Sequence, residues 1–151
     1  MQLQFSKYDF KIRVEDQQVQ TIFDIVRRKY IRLTPEEWVR QHIIHYLVFD
    51  HQFPRALISV EKQLLLNDLQ KRTDIVLYAR DGSPRLIVEC KAPEVQITQQ
   101  VFDQVARYNL TLKVPYLWVT NGNQNALCRI DHGKSSWTVL ENLPAVVELI
   151  G

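Results

Sequence analysis

The sequence has few of the residues that mark specialised protein classes. Only four glycines and two cysteines occur among its 151 residues, and no repeated or low-complexity tract is present. No stretch approaches the roughly 18 consecutive apolar residues of a membrane span, and the first residues lack the basic and apolar regions of a secretory signal. These absences argue against a disulfide framework and a membrane association, and we expect a cytoplasmic protein with both cysteines, Cys90 and Cys128, reduced.

Composition instead indicates an ordinary globular protein. Hydrophobic residues make up 46% of the chain and charged residues 24%, a balance that supports a packed core. The net charge of +2 allows contact with a phosphate backbone but is too small to indicate a dedicated nucleic-acid binder. We expect one domain over residues 1–151, with residues 1–33 as an N-terminal extension and 34–151 as its core.

The clearest local signal is the beginning of a helix at Pro35. Thr34 suits the N-cap, Pro35 suits the first helical position, and Glu37 stands where a capping-box glutamate would. The apolar residues that follow predict a helix over residues 35–49. Before it, residues 10–14 alternate in the manner of a strand, whereas residues 19–30 fit either a helix or a strand.

Further along, apolar patterns and turn residues predict a mixed α/β arrangement of strands and helices. The expected elements are a strand over 56–66, a hairpin with strands over 73–79 and 85–92, a helix over 98–112, and strands over 116–119, 126–130 and 136–140. In the second helix the apolar side is expected to contain Val101, Val105, Tyr108 and Leu112.

The predicted hairpin carries three charged residues whose spacing is informative. Folding the chain about Gly82 brings Asp74 across from the stretch that contains Glu89 and Lys91, and the register that unites the apolar faces also unites these charges. Mg²⁺ prefers oxygen ligands from one or two carboxylates, with the rest from water and phosphate. Asp74 and Glu89 would supply these carboxylates, and Lys91 would orient the attacking water or stabilise the transition state.

The alternative is that these charges lie on a solvated face, where Glu-x-Lys is common. Against it, the preceding residues Leu86, Ile87 and Val88 are apolar on both faces, as in a central strand. Placing Glu89 and Lys91 at the end of such a strand costs several kcal/mol unless the charges are compensated. A functional role for both residues is therefore favoured.

Residues 72–76 (RTDIV) and 86–93 (LIVECKAP) together resemble the PD-(D/E)XK nuclease superfamily, and more narrowly the N-terminal nuclease domain of type I restriction enzyme R subunits. The likeness continues through residues 33–41, 103–109 and 119–122. One departure is Thr73, which stands where the superfamily name has proline. A second is that the chain has no Gly-x-x-x-x-Gly-Lys-Ser/Thr loop, so it lacks the ATP-dependent motor of complete R subunits.

The resemblance implies an α/β (α+β) fold with a restriction-endonuclease-like core, in which helices flank a central mixed β-sheet. It also implies Mg²⁺, which Mn²⁺ would replace, at Asp74 and Glu89, and a catalytic role for Lys91. A glutamate of the first helix often joins such a site, and Glu36 is favoured over Glu37. The expected helper and substrate-positioning residues are Gln104, Tyr108, Arg40 and Gln41.

Two further groups of residues leave alternatives open. The basic residues Arg27, Arg28, Lys29, Arg32 and Arg40 would either contact phosphates or form a solvated face. His42, His45 and His51 would form a zinc site only with a further ligand at suitable spacing, and ordinary packing or surface positions are favoured. The three tryptophans are expected in or near the core.

These observations lead to two functional hypotheses. The first is a metal-dependent deoxyribonuclease that acts on DNA phosphodiester bonds, alone or with a separate motor or specificity subunit. The alternative is a catalytically silent nucleic-acid-binding or structural subunit of a restriction or repair complex. The complete set of Asp74, Glu89 and Lys91 favours the enzyme.

Overall fold

A computed structural model describes residues 1–66 and 69–151, with side chains given outside 62–71. The chain begins with a small antiparallel sheet of β1 (Ile12–Val14), β2 (Gln20–Asp24) and β3 (Lys29–Arg32). The ambiguous segment is therefore two strands. They are joined by a turn in which Asp24 Oδ1 accepts hydrogen bonds from the backbone N–H groups of Val26 and Arg27, both at 2.8 Å.

The first helix begins where the capping signal predicts. Helix α1 covers Pro35–His45, and Thr34 Oγ1 accepts a hydrogen bond of 3.0 Å from the backbone N–H of Glu37. The chain continues as a π-helical turn over Tyr46–Asp50, so the predicted end near residue 49 is close to the observed one. The capping box is only half formed, because the Glu37 carboxylate contacts arginine side chains instead of turning back to the N-cap.

Among the described residues, the main sheet contains six strands in sequence order, and neighbouring strands pair antiparallel except β6 and β7. A short 3₁₀ turn, Arg55–Leu57, precedes it, which delays the start of the strand predicted from residue 56. The strands are β4 (Ile58–Leu66), β5 (Leu69–Tyr78), β6 (Pro84–Cys90), β7 (Tyr116–Thr120), β8 (Asn125–Asp131) and β9 (Ser136–Leu140). The mixed sheet expected from the sequence is thus confirmed.

Helices cover both faces of this sheet, and alternating residues of each central strand enter different cores. Ile75, Val88 and Trp118 pack with α1 residues in one core, whereas Val76 and Ile87 pack in the other with residues of the second helix. Strand β6 is therefore buried on both faces, as its apolar run predicted. Cys90 and Cys128 are both buried, and neither forms a disulfide within the described residues.

Helix α2 (Gln99–Asn109) connects the parallel strands β6 and β7. Thr98 caps its start, and a 3₁₀ turn over Leu110–Leu112 follows its end. Its predicted apolar side is confirmed in part, since Leu112 is buried and Val105 packs against the core, whereas the fully buried positions within the helix are displaced by one residue. The buried residues are Phe102, Ala106 and Asn109, while Tyr108 is 52% exposed. The aromatic ring of Phe102 packs against the sheet in the position that the sequence pattern assigned to Val101. Helix α2 is therefore rotated about its axis relative to the prediction.

The described chain ends with a short helix, α3 (Val146–Ile150), which the sequence patterns do not predict. It is held by tertiary burial, since Leu149 and Ile150 belong to the core on the α1 side of the sheet. None of the helices in the two described segments combines the length and apolar character that a membrane crossing requires.

Candidate active site

Two carboxylate-bearing residues lie opposite each other on the hairpin. Strands β5 and β6 pair antiparallel with Ile75 opposite Val88. Continuing this register by one residue places Asp74 opposite Glu89. The pairing of the apolar residues is the one that the sequence predicted, and the approach of the Asp74 carboxylate to that of Glu89 stays a prediction.

Glu89 and Lys91 line an open cleft of about 280 Å³ together with residues of α2. Gln104 and Tyr108, which are four residues apart on that helix, both reach this cleft. The rotation of α2 that buries Phe102 leaves these two residues on the side of the cleft. Four of the predicted site residues thus meet at one surface.

Asp74, which is not among the residues that line this cleft, is held in a fixed orientation by two donors. Its Oδ1 accepts a hydrogen bond of 2.8 Å from Arg40 Nη2, and its Oδ2 accepts one of 2.8 Å from the backbone N–H of Cys90. The first contact links Asp74 to α1, and the second links it to the end of β6. Both oxygens of this carboxylate are therefore engaged by donors of the protein.

Glu36 approaches Asp74 from the first turn of α1. Its side chain is 49% exposed, and its Oε1 lies 3.3 Å from Arg40 Nη2. Burial and then the negative charge of Asp74 raise the pKa of Glu36, while Arg40 and Lys91 act in the opposite direction. Glu36 therefore lies within electrostatic range of both Asp74 and Lys91, and this position favours it over Glu37 as the helical glutamate of the site.

Glu37 is buried and belongs to an ionic network. Its Oε1 accepts hydrogen bonds from Arg27 Nη2 at 2.9 Å and Arg40 Nη1 at 2.8 Å, and its Oε2 accepts one from Gln41 Nε2 at 3.2 Å. Gln41 is fully buried and also donates to Asp24, at 2.9 Å. Glu37 and Gln41 are therefore linked to Asp74 through Arg40, and a contact of Gln41 with substrate remains a prediction.

The basic residues divide into two groups. Arg28, Lys29 and Arg32 are exposed, as a solvated or phosphate-binding face requires. Arg27 and Arg40 instead lie among carboxylates, and only 5% of Arg40 is exposed. Burial disfavours the charged guanidinium of Arg40, but the neighbouring negative charges outweigh this effect and raise its pKa. Arg40 thus remains charged, and its contact with substrate stays a prediction.

The backbone of Lys91 is attached to the end of β7. Its N–H donates a hydrogen bond of 2.7 Å to the carbonyl oxygen of Thr120. After Thr120, at the end of β7, the chain turns at Asn121 and Gly122. Gly122 has a φ of 93°, and a Cβ atom at this position would lie 3.6 Å from the side chain of Val39. Residues 119–122 (VTNG) therefore hold the backbone of Lys91 through Thr120 and pack against Val39 of α1 through Gly122.

Three residues of the ionic network were not identified as site residues from the sequence. Asp24 and Arg27 belong to the β2–β3 turn, and Glu61 lies on β4, where its φ of 53° interrupts the regular pairing with β5. Glu61 Oε2 accepts hydrogen bonds from Arg27 at 3.3 Å and from Arg72 at 2.7 Å. Nothing in their local sequence signals these contacts, because they join segments that are far apart in the chain.

The histidines near α1 lie in an aromatic environment. The ring of His42 packs 4.7 Å from that of Phe10 and 4.5 Å from that of Trp38, and His45 packs 4.5 Å from Phe10. Burial lowers the pKa of His45. Across the described residues, no group of three or more His, Cys, Asp or Glu side chains is arranged to hold a metal ion. The packing interpretation of His42 and His45 is the one that the structure favours.

Comparisons with known proteins identify the family. A family model described as type I restriction enzyme R protein N terminus (HSDR_N) matches residues 35–144, which include every predicted site residue. Among curated proteins, none is significantly similar to the chain. A solved structure described as a fragment of an HsdR subunit of a type I restriction enzyme from Vibrio vulnificus YJ016 aligns with 23% identity and a TM-score of 0.40. The alignment covers 61% of this chain and 19% of that chain. Since the family match spans well over half of its residues, the chain belongs to the family of type I restriction enzyme R protein N termini.

Proposed function

We propose that this protein is a metal-dependent nuclease that hydrolyses phosphodiester bonds of DNA. The observation that carries the proposal is the meeting of Glu89, Lys91, Gln104 and Tyr108 at one cleft, while the Asp74 carboxylate accepts a hydrogen bond from the backbone N–H of Cys90, the residue after Glu89. Membership of the R-protein family supports a role in restriction. The resemblance of the hairpin to PD-(D/E)XK nucleases supports the choice of reaction.

The donor set suits a hard divalent cation. Asp74 and Glu89 offer carboxylate oxygens from adjacent strands, and Mg²⁺ commonly takes one or two protein carboxylates and completes its shell with water and phosphate oxygens. Asp74 and Glu89 would hold Mg²⁺, or Mn²⁺ in its place. When bound, the cation would lower the pKa of a water ligand and neutralise charge on the phosphate.

The side chains of the chain itself supply the rest of the proposed chemistry. The ammonium group of Lys91 offers a positive charge at the cleft, where it stabilises negative charge that develops on the phosphate. Glu36, within electrostatic range of Lys91, orients this ammonium group. Gln104 and Tyr108 have hydrogen-bonding side chains on the opposite side of the cleft, where they position the DNA backbone.

The substrate and partners follow from the family and remain part of the proposal. DNA is the substrate, and a motor or specificity subunit would bring the domain to its cleavage site. The chain spans about a fifth of the HsdR fragment to which it aligns. In this proposal, translocation and sequence recognition are supplied by other segments or subunits.

A catalytically silent DNA-binding domain is the second candidate. It is favoured by the contacts of Asp74, whose oxygens already accept hydrogen bonds from Arg40 and from the backbone of Cys90. If Arg40 keeps a cation from Asp74, the fold would serve binding without cleavage.

Cleavage of linear and supercoiled DNA with Mg²⁺ or Mn²⁺ separates these functions. We expect Asp74→Asn and Lys91→Met each to lower the cleavage rate by about 100-fold or more. The exposed residues Glu94 and Lys134 provide matched controls, and Glu94→Gln and Lys134→Met should cleave at the wild-type rate.

Calorimetric titration with Mn²⁺ accompanies this assay. Binding to wild type that is lost in Asp74→Asn supports the proposed metal site. DNA binding by wild type with no cleavage under either cation, and no Mn²⁺ binding, would support the silent domain and reject the nuclease.

A further inference from the structure

The candidate site is connected to the N-terminal sheet through one arginine. Arg27, in the turn after β2, is 13% exposed at its side chain and contacts three carboxylates. Its Nε lies 2.7 Å from Asp24 Oδ2, its Nη2 lies 2.9 Å from Glu37 Oε1, and its Nη1 lies 3.3 Å from Glu61 Oε2. A planar guanidinium with five N–H donors is suited to such a contact, whereas an ammonium group is not.

Arg27 and Arg40 are coupled because they share acceptors. Both donate to Glu37 Oε1, at 2.9 and 2.8 Å, so this single oxygen lies between the two guanidinium groups. Glu61 also spans them, with Oε2 at 3.3 Å from Arg27 and Oε1 at 3.5 Å from Arg40. A displacement of Arg27 would therefore remove one donor from each of two carboxylates that contact Arg40, those of Glu37 and Glu61.

The orientation of Arg40 in turn determines that of Asp74. Arg40 Nη2 donates to Asp74 Oδ1 at 2.8 Å, and the other oxygen of Asp74 accepts the Cys90 N–H at 2.8 Å. If Arg40 moves, one of the two donors that hold this carboxylate is lost. The backbone amide of Cys90 would respond to this movement, because its N–H donates a hydrogen bond to the Asp74 carboxylate.

The turn that carries Arg27 is itself rigidly held. Asp24 is fully buried, and its Oδ1 accepts the backbone N–H groups of Val26 and Arg27. Its Oδ2 accepts from Arg27 Nε and from Gln41 Nε2 of α1, at 2.7 and 2.9 Å. Arg27 is thus fixed both by its own turn and by the helix that bears Arg40.

We propose that Arg27 is a positioning residue for the active site. It holds Glu37 and Glu61 so that Arg40 keeps the Asp74 carboxylate in the orientation that the reaction needs. This inference rests on the proposed nuclease function. It also assigns a role to the N-terminal sheet, since Arg27 precedes the residues that the family model matches, 35–144.

Arg27→Lys is the informative variant, because it keeps the positive charge but cannot donate to three carboxylates in the same geometry. We expect the nuclease kcat to fall by about 10- to 100-fold, the range typical of residues that orient a metal-ligating side chain, with little change in KM for DNA. Arg28→Lys is the matched control, since Arg28 is the exposed neighbour in the same turn and forms no ion pair among the described residues.

An NMR measurement tests the positioning role without relying on activity. The ¹H–¹⁵N resonance of the Cys90 amide should shift in Arg27→Lys and stay at its wild-type position in Arg28→Lys. In an Arg40→Lys background, Arg27→Lys should cause no further shift and no further loss of kcat, because the path to Asp74 is already broken. A general loss of stability would instead add to the effect of Arg40→Lys.

The outcomes distinguish this inference from the proposed function. An unchanged Cys90 resonance in a folded Arg27→Lys protein, or full additivity with Arg40→Lys, would overturn the positioning role. Wild type that neither cleaves DNA nor binds Mn²⁺ would reject the nuclease, and the coupling between Arg27 and Asp74 would then be decided by the Cys90 resonance alone.

Discussion

The guanidinium of Arg40 lies among carboxylates from three elements of the fold. Glu36 and Glu37 come from its own helix, Glu61 from β4 and Asp74 from β5. Removing one member of such a buried group leaves the remaining charges uncompensated, which is generally more costly than the pair is stabilising. The network thus makes the geometry around Asp74 sensitive to residues that do not touch the cleft.

The neighbouring glutamates of α1 should differ sharply when substituted. Glu37→Gln should lower the free energy of unfolding by about 3 kcal/mol, because it removes the charge that compensates Arg27 and Arg40. Glu36→Gln, at a half-exposed position, should change stability by less than about 0.5 kcal/mol, while lowering the cleavage rate by about tenfold. Urea unfolding and the DNA cleavage assay measure the two effects. A large loss of stability in Glu36→Gln, or full activity, would contradict its assignment to the site.

At the scale of elements, the helices and the hairpin differ in how far their structure depends on residues that are close in the sequence. The start of α1 depends on adjacent residues, since Thr34 caps the N–H of Glu37 only three positions away. The hairpin register depends on alternation within two short strands. The rotation of α2 depends on which side chains fit against the sheet, and its apolar residues allow more than one choice.

Substitutions in α2 test the observed rotation. Phe102→Ala should lower the free energy of unfolding by about 3 kcal/mol, because it removes a buried aromatic ring and leaves a cavity. Val101→Ala, on the side that the sequence pattern had indicated, should cost less than about 1 kcal/mol, since Val101 is only partly buried. Thermal and chemical unfolding measure both values. Equal losses, or a larger loss for Val101→Ala, would mean that the helix packs through the other face.

At the scale of the whole molecule, the two sheets are joined by charge as well as by apolar packing. Asp24 of the N-terminal sheet accepts a hydrogen bond from Gln41 of α1, and Arg27 contacts Glu61 of the main sheet. Ion pairs of this kind depend on the ionisation of the carboxylates. The stability of the whole chain should therefore respond to acid.

Asp24 is the residue through which this acid response is most directly tested. Burial acts to raise its pKa, but hydrogen bonds from Arg27 and Gln41 outweigh burial, and the net effect lowers the pKa below the ordinary value of 3.8. The charged form therefore stabilises the folded state above pH 3.8, and this contribution is lost as the pH falls through the lowered pKa. Asp24→Asn should lower the free energy of unfolding by about 2 kcal/mol at pH 7.

The difference in the free energy of unfolding between wild type and Asp24→Asn should shrink as the pH falls below 3.8, because protonation of Asp24 removes the same charge in wild type. Urea unfolding at pH values from neutral to acid measures this convergence. The exposed Asp9 provides the control, and Asp9→Asn should follow the wild-type curve. A difference between wild type and Asp24→Asn that stays constant across this range would contradict the role of the Asp24 charge.

Much of the main sheet could be predicted because its signals are short in range. Alternation and turn residues located the hairpin, and the strand predicted over residues 136–140 coincides with β9 (Ser136–Leu140). The segment over residues 19–30 could not be resolved in this way. Its apolar residues suit two periods, and the turn made by Asp24 decides between them only once the chain has folded back.

By itself, the sequence determined the helix start at Pro35 and the hairpin register that pairs Ile75 with Val88, since each of these depends on the identity and spacing of nearby residues. Only the tertiary structure decided the rotation of α2, the orientation of Glu36 and Glu37, and the connection of Asp24, Arg27 and Glu61 to Arg40. Those features arise from contacts between distant segments. Their energies depend on burial and on the simultaneous geometry of several charges, which no local pattern in the chain encodes.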